Sequence, residues 1–145
     1  MTSTFSDTQL TNNFSTTSFF TVTTIDNFSY TLTSNDLFKS EYLYSLYKIG
    51  GDDCFSINIK SDIFLLVLDF MQKKQIKLHK GYSTSEIFFP RAHLEWVKEK
   101  DSEQILELCN ACNYLEYAYL MELCCKALAD ELMGLKDEEV ETFCL

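Results

Sequence analysis

The segment Ile105-Leu106-Glu107-Leu108-Cys109-Asn110-Ala111-Cys112-Asn113-Tyr114-Leu115 sets Ile105, Leu108, Cys112 and Leu115 on one side of a helix, at offsets of three, seven and ten residues. Asp101-Ser102 just upstream, with Gln104 placed for a capping-box contact, predicts where that helix starts. Leu94, Trp96 and Val97 begin a shorter helix before it. Downstream, Leu120, Cys124, Ala127 and Leu128 make the stripe of a further helix, which Gly134 is placed to end. Asp137-Glu138-Glu139 opens another, its acids favoured in a first turn by the helix dipole, with Val140 and Phe143 on one side. The last third of the chain therefore reads as helical almost throughout.

Earlier in the chain the period changes. Phe20, Val22 and Thr24 alternate, as do Phe28, Tyr30 and Leu32, and Asp26-Asn27 between them supplies a two-residue turn, so a hairpin is expected. Ser34-Asn35-Asp36 leads into Leu43, Leu46 and Tyr47, one short helix stopped by Gly50-Gly51. Phe55, Ile57 and Ile59 alternate with polar neighbours and form a third strand. Ser61-Asp62 caps an amphipathic helix with Ile63, Leu66, Val67 and Phe70 on its apolar side. Residues 73–90, with Lys73, Lys74, Lys77, Lys80, Gly81 and the single proline Pro90, read as an exposed variable loop. Residues 1–18 are rich in Ser, Thr and Asn without periodicity and are expected to form a disordered tail. The fold class that follows is α+β, with a small three-stranded sheet flanked by helices.

Composition narrows the function. Twelve basic against 22 acidic residues leave a net charge of -10, the wrong sign for a surface that neutralises phosphates, so neither nucleic acid nor an anionic membrane is an expected partner. The longest apolar run, Ile63 to Leu68, is far shorter than the roughly 20 residues that cross a bilayer. Residues 1–18 carry neither a positive n-region nor an apolar h-region, so no secretory signal is expected and a reducing compartment is.

Chemistry finds little support. His79 and His93 lie in no nucleophile elbow, metalloprotease motif or phosphate loop, so no catalytic residue is assigned and the protein reads as a non-enzyme. Cys109-Asn110-Ala111-Cys112 is a CxxC with Cys124-Cys125 downstream, which raises a metal or redox alternative. The pair lies within an amphipathic helix and Cys112 belongs to its apolar side, so core packing is the preferred reading, with no metal and no cofactor. The acids from Glu95 onward read as a solvated face, and the lysines of the loop as solvated too. What stands out is 14% aromatic content, with Tyr42, Tyr44, Tyr47, Tyr114, Tyr117 and Tyr119 on or beside helices, and Tyr is enriched at protein interfaces. Residues alone thus indicate a small acidic interaction domain.

The pattern Leu108-x-x-Ala111-x-Asn113-Tyr114-Leu115, following hairpin, short helix, strand, amphipathic helix and loop, resembles the S-phase kinase-associated protein (Skp) family. These are BTB/POZ-fold adaptors of SCF (cullin-RING) ubiquitin ligases. Gly134-Leu135-Lys136-Asp137-Glu138-Glu139-Val140 before Thr142-Phe143 looks like the family's Gly-Lys-Thr-Pro-Glu-Glu-Ile stretch and its Thr-Phe pair. The resemblance covers about Phe19 to Leu145 and implies a BTB/POZ-like domain over 19–116 and C-terminal helices of the Skp dimerisation type over 117–145. It implies an adaptor that joins a cullin to an F-box substrate receptor in ubiquitin-dependent protein degradation, in cytoplasm and nucleus. Cullin binding falls on Asn113 and Tyr114, and F-box binding on Leu123, Leu128, Val140 and Phe143. Elongin C is similar in fold but ends soon after its version of the motif. The departures are a basic middle loop where the family's is commonly acidic, Asp137 in place of a proline, and an end at Leu145 where the family usually continues into further helices. The expectation is therefore a divergent or C-terminally short member. The alternative is a self-associating BTB-type module without a ubiquitin role, using the hairpin edge and Tyr42, Tyr44 and Tyr47.

Overall fold

A computed structural model describes residues 19–78 and 81–133. Among them are a three-stranded sheet and six α-helices, an α+β composition. The chain divides into two compact units between Lys74 and Gln75, within the expected loop. The tail over 1–18, His79, Lys80 and the helix expected from Asp137 lie outside the described residues.

In the first unit, β1 (Phe19–Thr23) and β2 (Ser29–Thr33) pair antiparallel with Val22 opposite Tyr30 and Phe20 opposite Leu32. Phe20, Val22 and Leu32 are buried, as the alternation requires. The connection differs from expectation: it has three residues, Ile25 to Asn27, and only Asn27 among them adopts positive φ, at 69°. Asn27 N–H bonds the Thr24 carbonyl at 2.9 Å and Thr24 N–H bonds the Phe28 carbonyl at 2.8 Å, a turn followed by one left-handed residue, for which asparagine is suited.

The helix expected to run from Ser34 through Tyr47 is two helices, α1 (Ser34–Lys39) and α2 (Glu41–Gly50). The extended backbone of Ser40 separates them, and its hydroxyl accepts from Leu43 N–H to start the second. Thr33 and Asp36 form a capping box at the start of α1. Gly51 stops α2 at φ 71°, a left-handed position where glycine carries no Cβ penalty. Of the expected apolar positions on α2, Leu43 is buried, Tyr47 half-buried and Leu46 exposed.

Strand β3 (Cys54–Ser56) lies parallel to β1, giving the order β2-β1-β3. Phe55, Ile57 and Ile59 are all buried, and Ile57 N–H and the Ile59 carbonyl carry the pairing on past the strand. Phe20 stacks near Phe55 at 6.3 Å and meets Tyr47 edge-on at 5.1 Å, fixing α2 to the sheet. Helix α3 (Ser61–Met71) buries Ile63, Phe64, Val67, Phe70 and Met71, with the Phe64 ring 5.6 Å from Tyr30.

The start of α3 is capped from elsewhere. Its N-cap position is Lys60, which offers no side-chain bond, while Asp62 of the expected cap accepts from Ile63 N–H at 2.8 Å. Asp26 of the hairpin turn accepts from Ser61 N–H at 3.0 Å and from the Ser61 hydroxyl at 2.7 Å, so a carboxylate 35 residues away joins the local Asp62 in capping the helix. The Thr24 hydroxyl donates to the same carboxylate at 2.6 Å. The hydroxyls of Thr24 and Ser61 hold the Asp26 carboxyl down at about 2. At the other end of α3, Lys39 donates to the Met71 carbonyl and Gln72 donates to Asp36 at 3.3 Å.

In the second unit, residues 75–90 contain one 3-10 turn, Thr84–Glu86, and then Pro90 leads into α4 (Arg91–Lys98). Trp96 and Val97 are buried there as expected, together with His93. Helix α5 (Ser102–Leu115) starts at the Asp101/Gln104 capping box, and Ile105, Leu108, Cys112 and Leu115 are all buried. Helix α6 (Ala118–Met133) buries Leu120, Cys124 and Ala127 and also Tyr119 and Leu123, while Leu128 is half-buried.

Candidate interaction site at the α5–α6 corner

Helix α5 ends on the segment that carries the resemblance. Glu116 adopts φ 54°, Glu116 N–H bonds the Asn113 carbonyl at 3.3 Å, and Tyr117 N–H bonds the Cys112 carbonyl at 2.9 Å. These are the two bonds of a Schellman turn, with glutamate where glycine is usual. Helix α6 begins two residues later. The turn leaves Asn113 exposed and Tyr114 half-buried, while Leu115 and Tyr117 enter the core. Asn113 and Tyr114 are therefore adjacent at one end of α5, with the Asn113 amide facing solvent, able to donate and to accept.

The other expected contact residues are spread out. Leu123 is buried in α6 and Leu128, five residues on, is half-buried. Val140 and Phe143 lie outside the described residues.

Three tyrosine hydroxyls fasten the second unit. Tyr117, almost wholly buried, donates to Gln75. Tyr82 donates to Glu122 at 2.5 Å, and this bond to a carboxylate pushes the Tyr82 phenol up to about 12. The Tyr119 hydroxyl lies 2.9 Å from His93 Nδ1, both groups being buried, and the Phe89 ring meets Tyr119 edge-on at 5.4 Å. The contact ties α4 to α6. Burial raises the Tyr119 phenol above its ordinary value.

Beside Tyr82 the surface opens into a cleft of about 550 Å³ walled by Ile87, Phe88, Phe89 and Leu94, with Glu122 and Cys125 on its α6 side. Phe88 is 80% exposed.

The CxxC pair does not form a two-thiol unit of its own. Cys112 and Cys124 are buried in the helix stripes, and burial drives the Cys112 thiol far up and the Cys124 thiol to about 12. Cys109 is half-buried and Cys125 exposed, and their sulfurs lie 3.8 Å apart. Burial and the Cys109 thiol push Cys125 up to about 11. Among the described residues no three His, Cys, Asp or Glu side chains are grouped to hold a metal ion, and no helix is long and apolar enough to cross a membrane.

Comparison of the chain with known protein families finds no match, and comparison with curated proteins finds none either.

Proposed function

We propose that the protein is an adaptor of an SCF-type (cullin-RING) ubiquitin ligase, bridging a cullin to an F-box substrate receptor. In this reading residues 19–116 are a BTB/POZ domain, and the bridging role itself needs no catalysis. It raises the effective concentration of a bound substrate near the ubiquitin-loading machinery. The observation that supports the reading is the division of labour in Leu108-x-x-Ala111-x-Asn113-Tyr114-Leu115. Leu108, Ala111 and Leu115 are buried, whereas Asn113 is exposed and Tyr114 half-buried beside it. An amide and an amphipathic ring at the end of a rigid helix are suited to a docking contact.

Binding of the purified chain to a cullin N-terminal domain tests this. Tyr114→Ala is expected to weaken binding about tenfold or more, the effect of losing a central interface aromatic, and an Asn113→Lys, Tyr114→Lys double variant to abolish it. Equal binding by wild type and double variant would remove the corner from the interface, and no binding by either would remove the cullin. An F-box peptide titrated alongside reads the second arm of the bridge separately.

A second reading is favoured by α2, where Leu46 is 37% and Ile49 is 88% exposed. Large apolar side chains at solvent are what a self-associating module uses to pair copies. Light scattering across a wide dilution range decides it: a mass fixed at one chain excludes the module, and a mass that rises with concentration and falls in Ile49→Lys supports it.

A further inference from the structure

We propose that Cys109 and Cys125 are a thiol–disulfide site, in which a low-molecular-weight disulfide such as oxidised glutathione is reduced while the two cysteines join α5 to α6. The geometry carries it. The sulfurs are 3.8 Å apart across 16 residues of sequence. A disulfide needs about 2.05 Å, so bridging draws together two sulfurs that already touch. The pair reaches solvent through Cys125, which lies on the wall of the open cleft between Phe89 and Glu122. Cys112 and Cys124 pack in the buried stripes of the same two helices and are closed to a reagent.

The steps balance. Cys125, the exposed member, reacts through the small fraction of its thiol that is ionised: the thiol loses its proton and attacks one sulfur of oxidised glutathione, forming a mixed disulfide and releasing one glutathione thiolate, which takes that proton. Cys109 then loses its proton and attacks the Cys125 sulfur, and the second glutathione leaves and is protonated. Two protein thiols are oxidised to one disulfide, and one glutathione disulfide is reduced to two glutathiones. Cys109 resolves the adduct because it is already within reach, which is an effective-concentration advantage over any second molecule in solution. The loop that the bridge closes contains Asn113, Tyr114 and the Glu116 turn, so oxidation clamps the α5–α6 corner.

The test equilibrates the reduced full chain with graded ratios of oxidised to reduced glutathione, quenches in acid, and maps thiols by alkylation and mass spectrometry. The expected product is an intramolecular Cys109–Cys125 bridge, two hydrogens lighter than the reduced chain. It is expected to form at a ratio about tenfold or more below that needed by the same chain in concentrated urea, since only the fold brings the sulfurs together. In Cys109→Ser the glutathione adduct on Cys125 is expected to persist, because its resolving thiol is gone. Bridging at the same ratio with and without urea overturns the proposal. So does oxidation of another cysteine pair ahead of this one, or a Cys109→Ser chain that acquires no adduct on Cys125.

Discussion

In residues 19–74 the polar side chains that tie elements together are mostly charged and act on helix ends: Asp26 on the first turn of α3, Asp36 on Thr33 and Gln72, Lys39 on the Met71 carbonyl at the end of α3. In residues 75–133 the same task falls to tyrosine hydroxyls, with Tyr82 on Glu122, Tyr117 on Gln75 and Tyr119 on His93. The first solution depends on carboxylates staying ionised. The second places a ring in the core and only its tip in a polar contact, so packing and hydrogen bonding come from one residue. The difference teaches that two units of similar size can be pinned by different chemistry, ionised groups at helix ends in one and tyrosine hydroxyls in the other.

The largest expected effects leave that difference untouched and so set its baseline. Phe64→Ala in the first unit removes a fully buried ring and is expected to lower stability by about 3 to 5 kcal/mol. Leu120→Ala in the second is expected to cost about 2 to 5 kcal/mol, both read by urea denaturation. Losses well below these would mean that the site had collapsed onto the cavity.

Acid then probes the Asp26 tie of the first unit. The Asp26 carboxyl titrates at about 2 in the fold against 3.8 when free, so its contribution is complete above the free value and is lost as pH falls from 3.8 towards 2. The thermal midpoint of the wild type is expected to fall across that window, and Asp26→Asn to be less stable near neutrality with a flatter decline in acid. An unchanged slope in Asp26→Asn would assign the acid response to other groups.

Tyr119→Phe probes the second device. It removes one buried hydroxyl opposite His93 and keeps the ring, so a loss of about 1 kcal/mol at neutral pH is expected from chemical denaturation. The smallest effect is expected at the corner. Glu116 occupies a left-handed position that glycine enters freely, so Glu116→Gly should leave stability unchanged or raise it by up to about 1 kcal/mol. A clear loss would show that the glutamate side chain holds something the backbone does not.

Most of the periodic structure was legible in the sequence. The α5 stripe, the Asp101/Gln104 box, the alternation from Phe55 to Ile59 and the stop at Gly51 follow from local rules of period and capping. What local rules missed depends on residues distant in the chain. The break at Ser40 was hidden because the apolar spacing of α2 continues plausibly back into α1, and only the extended backbone of Ser40 separates them. The Asp26 cap was hidden because a serine followed by an aspartate at a helix start is itself a good local cap. At the candidate corner the sequence located Asn113 and Tyr114 at a helix end, but the facing of Cys109 and Cys125 needed the packing of α5 on α6.

The Asp26 cap also has a consequence in time. Ser61 is synthesised 35 residues after Asp26, which at about 5 to 20 residues per second is a delay of about 2 to 7 seconds on the ribosome. Within it, from the completion of β2 at Thr33 to the appearance of β3 at Cys54, the hairpin exists without β3, and the edge of β1 that will receive β3 stands open. The nascent chain has to hold that edge apart from neighbouring chains until the partner strand and the start of α3 emerge together, so slower translation before residue 61 lengthens the interval in which this sheet is vulnerable to pairing with the wrong strand.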